Sequence, residues 1–234
     1  MMETIAELAD VTKTFGTNGG RACAVKNVSL QITRGELILL LGPSGSGKTT
    51  ILTLLAGLLE PTSGHCMLFE EDIAKYPPEK LREVRANRIG FIFQNFLLID
   101  ALSVRDNIAL ALQFAGRSRK NALDQAQKLL HSLNILSLSD KLPNKLSQGE
   151  KQRVAIARAI ANNADLIIAD EPTASLESKQ GSEIIQLLHR FAKEQKKCVV
   201  VASHDLRLVE FADRVIRIED GMIVEKRVRR DNDV

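Results

Sequence analysis

The sequence predicts an α/β fold with a mostly parallel sheet, an N-terminal antiparallel β region and an inserted α-helical region. Three observations predict it. Gly42-Pro43-Ser44-Gly45-Ser46-Gly47-Lys48-Thr49 fits G-x-x-x-x-G-K-[ST], with the apolar run 37–41 leading in and an apolar helix over 50–59 following. That strand–loop–helix order is the context this pattern requires. From residue 148 onward helices and short apolar strands alternate, which argues for parallel strands with chemistry at their C-terminal ends. Residues 95–145 carry no strand pattern and read as a helical insertion.

The elements follow in order. Residues 5–9 and 22–32 read as strands, the second with Val28, Leu30 and Ile32 alternating; Phe15-Gly16 and Asn18-Gly19-Gly20 mark the turn between them. Glu60-Pro61-Thr62-Ser63-Gly64 stops the loop helix, 65–69 is another strand, and Pro77-Pro78 marks a short charged helix within 75–85. A strand over 89–93 ends at Gln94. Residues 104–131 turn helical with a break near Gly116; Ala122, Leu123, Ala126, Leu129, Leu130 and Leu133 share a face suited to packing. After Pro143 come three α/β units: helix 148–162 with strand 165–170, helix 178–195 with strand 198–202, and helix 206–212 with a hairpin turning at Asp220-Gly221.

Composition bounds the function. The 234 residues are 44% hydrophobic and 26% charged, ordinary for a soluble globular chain, and a net charge of +3 is too slight to argue for nucleic acid. Cys23, Cys66 and Cys198 are odd in number, share no metal-type spacing and read as reduced thiols. Residues 1–10 are acidic, which is not a signal-peptide pattern. No run approaches the roughly 20 apolar residues of a membrane helix, so any work at a membrane is expected to go through a partner. The basic tail around Arg227, Arg229 and Arg230, with Asp231 and Asp233 beside it, reads as solvated.

The glycines of the loop let successive N–H groups converge on a phosphate at a helix N-terminus. Lys48 supplies a mobile cation for β- and γ-phosphates, and Thr49 a hydroxyl for Mg²⁺. Leu166-Ile167-Ile168-Ala169-Asp170-Glu171 is an apolar strand ending in two carboxylates. Asp170 can hold the Mg²⁺ shell beside Thr49, and Glu171 can face a water in line with the γ-phosphate.

Leu146-Ser147-Gln148-Gly149-Glu150, followed by Gln152-Arg153-Val154-Ala155-Ile156-Ala157-Arg158-Ala159, resembles the signature and following helix of the ATP-binding cassette (ABC) ATPases. Gln94 resembles their Q-loop, Ser175-Leu176-Glu177 their D-loop, His204 their switch histidine, and Phe15 the aromatic ring that stacks on adenine. The resemblance runs nearly the whole length and implies one domain over 1–234: a RecA-like P-loop core with an N-terminal antiparallel β subdomain over about 1–94 and 165–234, and a helical subdomain over about 95–164. It implies ATP and Mg²⁺ as cofactors. Glu171, His204 and Gln94 would be catalytic; Phe15, Gly42, Pro43, Ser44, Gly45, Ser46, Gly47, Lys48, Thr49 and Thr50 would bind ATP. Thr49, Gln94 and Asp170 would hold the metal. Ser147, Gly149 and Glu150 would meet ATP across a homodimer, each site joining one subunit's phosphate loop to the other's signature.

Two departures stand out. The family's Ser-Gly-Gly-Gln is here Ser-Gln-Gly-Glu, and Glu177 replaces the usual Asp. Ser147 followed by Glu150 is a capping box, which predicts that the Glu150 carboxylate turns back onto the helix start. Residues 88–114 look like the group serving macrolide exporters, lipoprotein release and cell division. Within it, Ile89-Gly90-Phe91-Ile92-Phe93-Gln94 and Ser203-His204-Asp205-Leu206-Arg207 look closest to the heterocyst glycolipid exporter ATPase (DevA type). The expected role is to power export of a lipid, lipoprotein or other amphiphile from the cytoplasmic face of the inner membrane, docked on a separate permease. Apolar Phe96-Leu97-Leu98-Ile99 is its expected contact groove. The alternative is a cell-division type that couples hydrolysis to a membrane partner without transport. A soluble ABC ATPase of DNA repair or translation would usually carry a second cassette, coiled-coil insertions or zinc cysteines, and none is seen in the sequence.

Overall fold

The computed structural model describes residues 3–16, 20 and 22–228. β1 (Thr4–Phe15) and β2 (Ala22–Thr33) pair antiparallel, and β4 (Ser63–Leu68) with β5 (Glu71–Asp72) completes a sheet in the order β2-β1-β4-β5. β3 (Leu37–Leu41), β6 (Ile89–Ile92), β7 (Leu166–Asp170), β8 (Cys198–Ser203) and the hairpin β9 (Arg214–Glu219) and β10 (Met222–Val228) form the second sheet, ordered β10-β9-β3-β8-β7-β6. Only the β9–β10 pair is antiparallel in it.

β3, β7 and β8 are buried at every residue, as parallel strands covered on both faces must be. Alternation divides β3 between two cores. Ile38 and Leu40 face the antiparallel sheet and α1 (Lys48–Leu55), whereas Leu37, Leu39 and Leu41 face α5 (Gln148–Ile160) and α6 (Ser178–Lys193). α2 (Pro78–Arg88) leads into β6. α3 (Val104–Phe114), α4 (Arg119–Ser132) and the Val154/Ala157 side of α5 enclose a third core. α5 therefore belongs to both the helical region and the sheet.

Several boundaries differ from expectation, each for a local reason. β1 runs on to Phe15, past the expected end at residue 9, because an irregularity at Asp10 (φ 52°) breaks the alternation but not the pairing. α1 begins at Lys48 and ends at Leu55; Gly57, in the left-handed region at φ 61°, donates to the Leu54 carbonyl and unwinds the expected last turn. The 75–85 helix starts later, at Pro78, and runs to Arg88. The two-residue strand β5 had no sequence signal, and the helix expected over 206–212 is a 3₁₀ segment, Leu206–Phe211, capped by Asp205. Of the expected first turn, Asn18 and Gly19 lie outside the described residues, as do Arg229, Arg230, Asp231 and Asp233 of the tail.

Candidate nucleotide site

β3 delivers the phosphate loop and β7 the acid pair at the C-terminal ends of parallel strands separated by β8. Gly42 has no room for a side chain, because a Cβ there would fall 2.2 Å from the Ile218 carbonyl oxygen. Gly47 is the N-cap of α1 at φ 102°, and a Cβ on it would strike the Ala24 carbonyl. Ser44, Gly45, Gly47, Lys48, Thr49, Thr50, Gln94, Asp170, Glu171 and His204 line one cavity of about 280 Å³. That gathers residues more than 150 positions apart in sequence, and with them Ala24, which carried no sequence signal.

Lys48 is buried, its Nζ donating to the carbonyls of Gly42 at 2.7 Å and Pro43 at 2.9 Å, with Glu171 Oε1 at 3.9 Å. The ammonium thus leans on the loop's own carbonyls, contacts an incoming phosphate can replace. Thr49 Oγ1 donates to Asp170 Oδ2 at 2.8 Å. Burial pushes the Asp170 carboxyl above its ordinary range, with Glu171 adding to the rise and the Thr49 hydroxyl and Lys48 opposing it. Asp170 Oδ1 is buried with no hydrogen-bond partner. An acid with an unpartnered oxygen, beside a hydroxyl in the lining of a phosphate cavity, suits a divalent cation, which would hold Asp170 ionised. Among the described residues no cluster of three or more His, Cys, Asp or Glu could hold a metal unaided. Thr49 and Asp170 would share such an ion with phosphate and water, and Gln94 opens on the same space.

Glu171 sits at φ 48°, unusual for a non-glycine residue. Its backbone N–H bonds the Ala202 carbonyl, Oε2 accepts from Ser203 Oγ at 3.2 Å, and Oε1 lies 3.0 Å from His204 Nδ1. The residue is thus held at three points, its backbone and both carboxylate oxygens, at the edge of the cavity, while the His204 ring is mostly exposed.

Phe15, Gly42, Pro43 and Ser46 do not line this cavity. Gly42 and Pro43 act through their carbonyls, Ser46 is buried with its hydroxyl unpartnered, and Phe15 ends β1 with its ring exposed and Lys13 Nζ 5.4 Å from the ring centre. Ser147, Gly149 and Glu150 line a separate cavity of about 320 Å³ with Arg153, Lys179, Gln180 and Glu183. It shares no residue with the phosphate cavity. The predicted capping box is present: Ser147 N–H donates to Glu150 Oε2 at 2.7 Å, and Glu150 N–H to Ser147 Oγ at 3.3 Å. The Ser147 N–H holds the Glu150 carboxyl below its ordinary range, helped by Lys141.

Beyond Gln94 the chain takes two left-handed residues, Phe96 and Leu97, whose carbonyls accept from the half-buried Arg158 guanidinium. Asn107 pins the next turn, accepting from Ile99 N–H and donating to the carbonyls of Ile99, Leu102 and Ser103. The expected apolar patch is redrawn: Leu97 and Ile99 are exposed, but Leu98 packs on the helical core. Phe114, 75% exposed at the end of α3, joins Leu97, Phe93 and Arg158 around a groove of about 270 Å³. Sequence reading placed Phe114 only within a helix; its exposure depends on where α3 ends.

A phosphate loop at the end of β3, an acid pair at the end of β7, a histidine just past the strand between them and a signature loop on a helical region define an ABC-type ATPase. The ABC transporter family model matches residues 25–174, and the chain belongs to that family as an ATP-binding, ATP-hydrolysing subunit of a transporter. It is 42% identical over 217 residues to the putative hemin import ATP-binding protein HrtA of Staphylococcus haemolyticus, over 93% of this chain and 98% of that protein. It is 41% identical over 203 residues to the macrolide export ATP-binding/permease protein MacB of Rhodopirellula baltica, over 86% of this chain but 30% of that longer protein. Among solved structures it resembles the dimeric, post-hydrolysis ATP-binding cassette MJ0796 of Methanocaldococcus jannaschii bound to ADP and Pi. The TM-score is 0.90 at 37% identity, covering 97% of this chain and 99% of the other.

Proposed function

We propose that the chain works as a homodimer that closes around two ATP molecules and pulls on a separate membrane permease. The observation that carries this is the separation of the two half-sites: one chain holds both a phosphate loop and a signature loop, in cavities with no residue in common. Neither is complete until a second copy brings its signature to the first copy's phosphate. The dimeric architecture of the MJ0796 cassette supports the same arrangement.

Within each site Glu171 takes a proton from the attacking water and His204 steadies that water and the γ-phosphate. Lys48 and the loop amides hold the phosphates; Thr49, Gln94 and Asp170 would hold Mg²⁺, which would supply charge neutralisation at the phosphoryl group. Phe15 offers its ring to adenine, and Ser147 and Gly149 meet the γ-phosphate across the interface while Glu150 stays on its cap. Gln94 joins this chemistry to the Leu97–Phe114 groove, which receives the permease at the cytoplasmic face of the membrane. No helix among the described residues is long and apolar enough to cross a membrane. The cargo we favour is an amphiphile, on the likeness of residues 89–94 and 203–207 to the glycolipid exporter ATPase and on the relation to MacB. Turnover of the purified chain, measured with and without vesicles holding a candidate permease, tests the reading. Stimulation by the vesicles is expected, and binding to DNA or ribosomes in their place would defeat it.

A further inference from the structure

α6 starts without a side-chain cap: its N-cap, Glu177, makes no capping hydrogen bond, and no acidic residue lies in its first turn. Its first residue is held from outside. Arg207 Nη1 donates to Ser178 Oγ at 2.8 Å, while Nε and Nη2 of the same guanidinium grip the Asp205 carboxylate at 2.7–3.0 Å. Asp205 is also tied to the reacting end of the site. Its N–H donates to Ser203 Oγ at 3.1 Å, and that hydroxyl donates to Glu171 Oε2 at 3.2 Å. The other side of the first turn of α6 backs the signature loop: the Gln180 amide packs close against Gly149, with Oε1 2.6 Å from where a Cβ would stand, and one turn further Glu183 pairs with Arg153 of α5. Polar contacts therefore run from the Glu171 carboxylate through Ser203, Asp205 and Arg207 to the α6 turn that packs on Gly149.

We propose that Arg207 is a positioning residue for hydrolysis, splinting the loop that carries His204 to the first residue of α6 so that Glu171 and the signature loop of one chain are held in register. The planar guanidinium fork suits this, since it engages Asp205 and Ser178 at once, which a lysine ammonium does not reproduce. The proposal rests on reading Glu171 as the hydrolytic base. It is tested on the full chain with Mg-ATP, measuring kcat, KM and the Hill coefficient for Arg207→Ala, Arg207→Lys, Ser178→Ala and the Arg207→Ala/Ser178→Ala double variant, beside Glu171→Gln. Ser178→Ala removes one exposed hydroxyl and keeps the fold intact. We expect Arg207→Ala, Arg207→Lys and Ser178→Ala each to lower kcat by roughly tenfold, well short of the hundredfold that an ångström of misplacement can cost. KM should stay within about twofold and the Hill coefficient should fall. The double variant should lose no more than Arg207→Ala, because both changes cut one contact. Wild-type kcat for Ser178→Ala, additive losses in the double variant, full rescue by Arg207→Lys, or a rise in KM in place of the fall in kcat would overturn it. If Glu171→Gln is inactive while Ser178→Ala is unaffected, the splint alone fails. If Glu171→Gln turns over normally, the site reading falls and the splint with it.

Discussion

At the scale of single residues, Glu171 and Lys48 sit 3.9 Å apart yet should fail differently. Glu171→Gln keeps the shape and removes the charge that Ser203 and His204 address. ATP should still bind and ATP-bound dimers should accumulate, while turnover drops by at least the roughly 10²–10⁴ of lost general-base help. Lys48→Ala should instead weaken nucleotide binding itself, as read by titration with a fluorescent ATP analogue. Glu150 is the milder case. Its carboxylate is committed to the Ser147 N–H, and glutamine retains an acceptor there. Glu150→Gln should change stability by less than about 1 kcal/mol and leave ATP-driven dimerisation unchanged or stronger. Markedly weaker dimerisation would show that the charge itself touches nucleotide.

At the scale of elements, the start of β7 is anchored by charge. Asp165 accepts from Arg34 beyond β2 at 3.1 Å and from Arg88 at the end of α2 at 3.0 Å. Burial works to raise its carboxyl, but the two guanidinium bonds outweigh that and hold it below its ordinary range. A depressed folded value means the stabilisation is present above the unfolded pKa of about 3.9 and is lost as pH falls through the folded value. Asp165→Asn should therefore destabilise by about 1–2 kcal/mol at pH 7, with the gap to wild type in urea melts closing at acid pH. A gap that stays constant down to pH 3 would show that shape, not charge, matters there. The groove past Gln94 is likewise a property of elements. Leu97→Glu should leave thermal stability intact and abolish recruitment to permease-containing vesicles. Leu98→Glu should cost about 2 kcal/mol or more, because it puts a charge against the helical core. Equal recruitment of the Leu97→Glu variant and wild type would remove the groove from the interface.

At the scale of the whole molecule, one chain carries the phosphate loop at the end of β3 and the signature loop at the start of α5, in separate cavities. A half-site that needs a second copy makes activity depend on association, so specific turnover should rise with protein concentration and level off as dimers saturate. Specific turnover constant down to concentrations at which sizing shows only monomer would contradict a shared site.

The sequence by itself determined the ATPase family and most of the elements. Phosphate binding needs a short contiguous glycine loop with Lys48 and Thr49, and strands buried on both faces must be apolar at every position, so both signals are local. The Ser147–Glu150 cap was legible for the same reason, its partners being three residues apart. Tertiary structure decided what depends on residues distant in the chain: Ala24 beside Gly47, Arg207 on Ser178, Asp165 between two arginines, and which of Leu97, Leu98 and Phe114 faces outward. It also set element ends where backbone geometry overrides side-chain pattern, at Asp10, Gly57 and the 3₁₀ segment after Asp205. Periodicity reports the burial of a face, whereas contacts between faces are fixed only once the sheet order and the helix seats are in place.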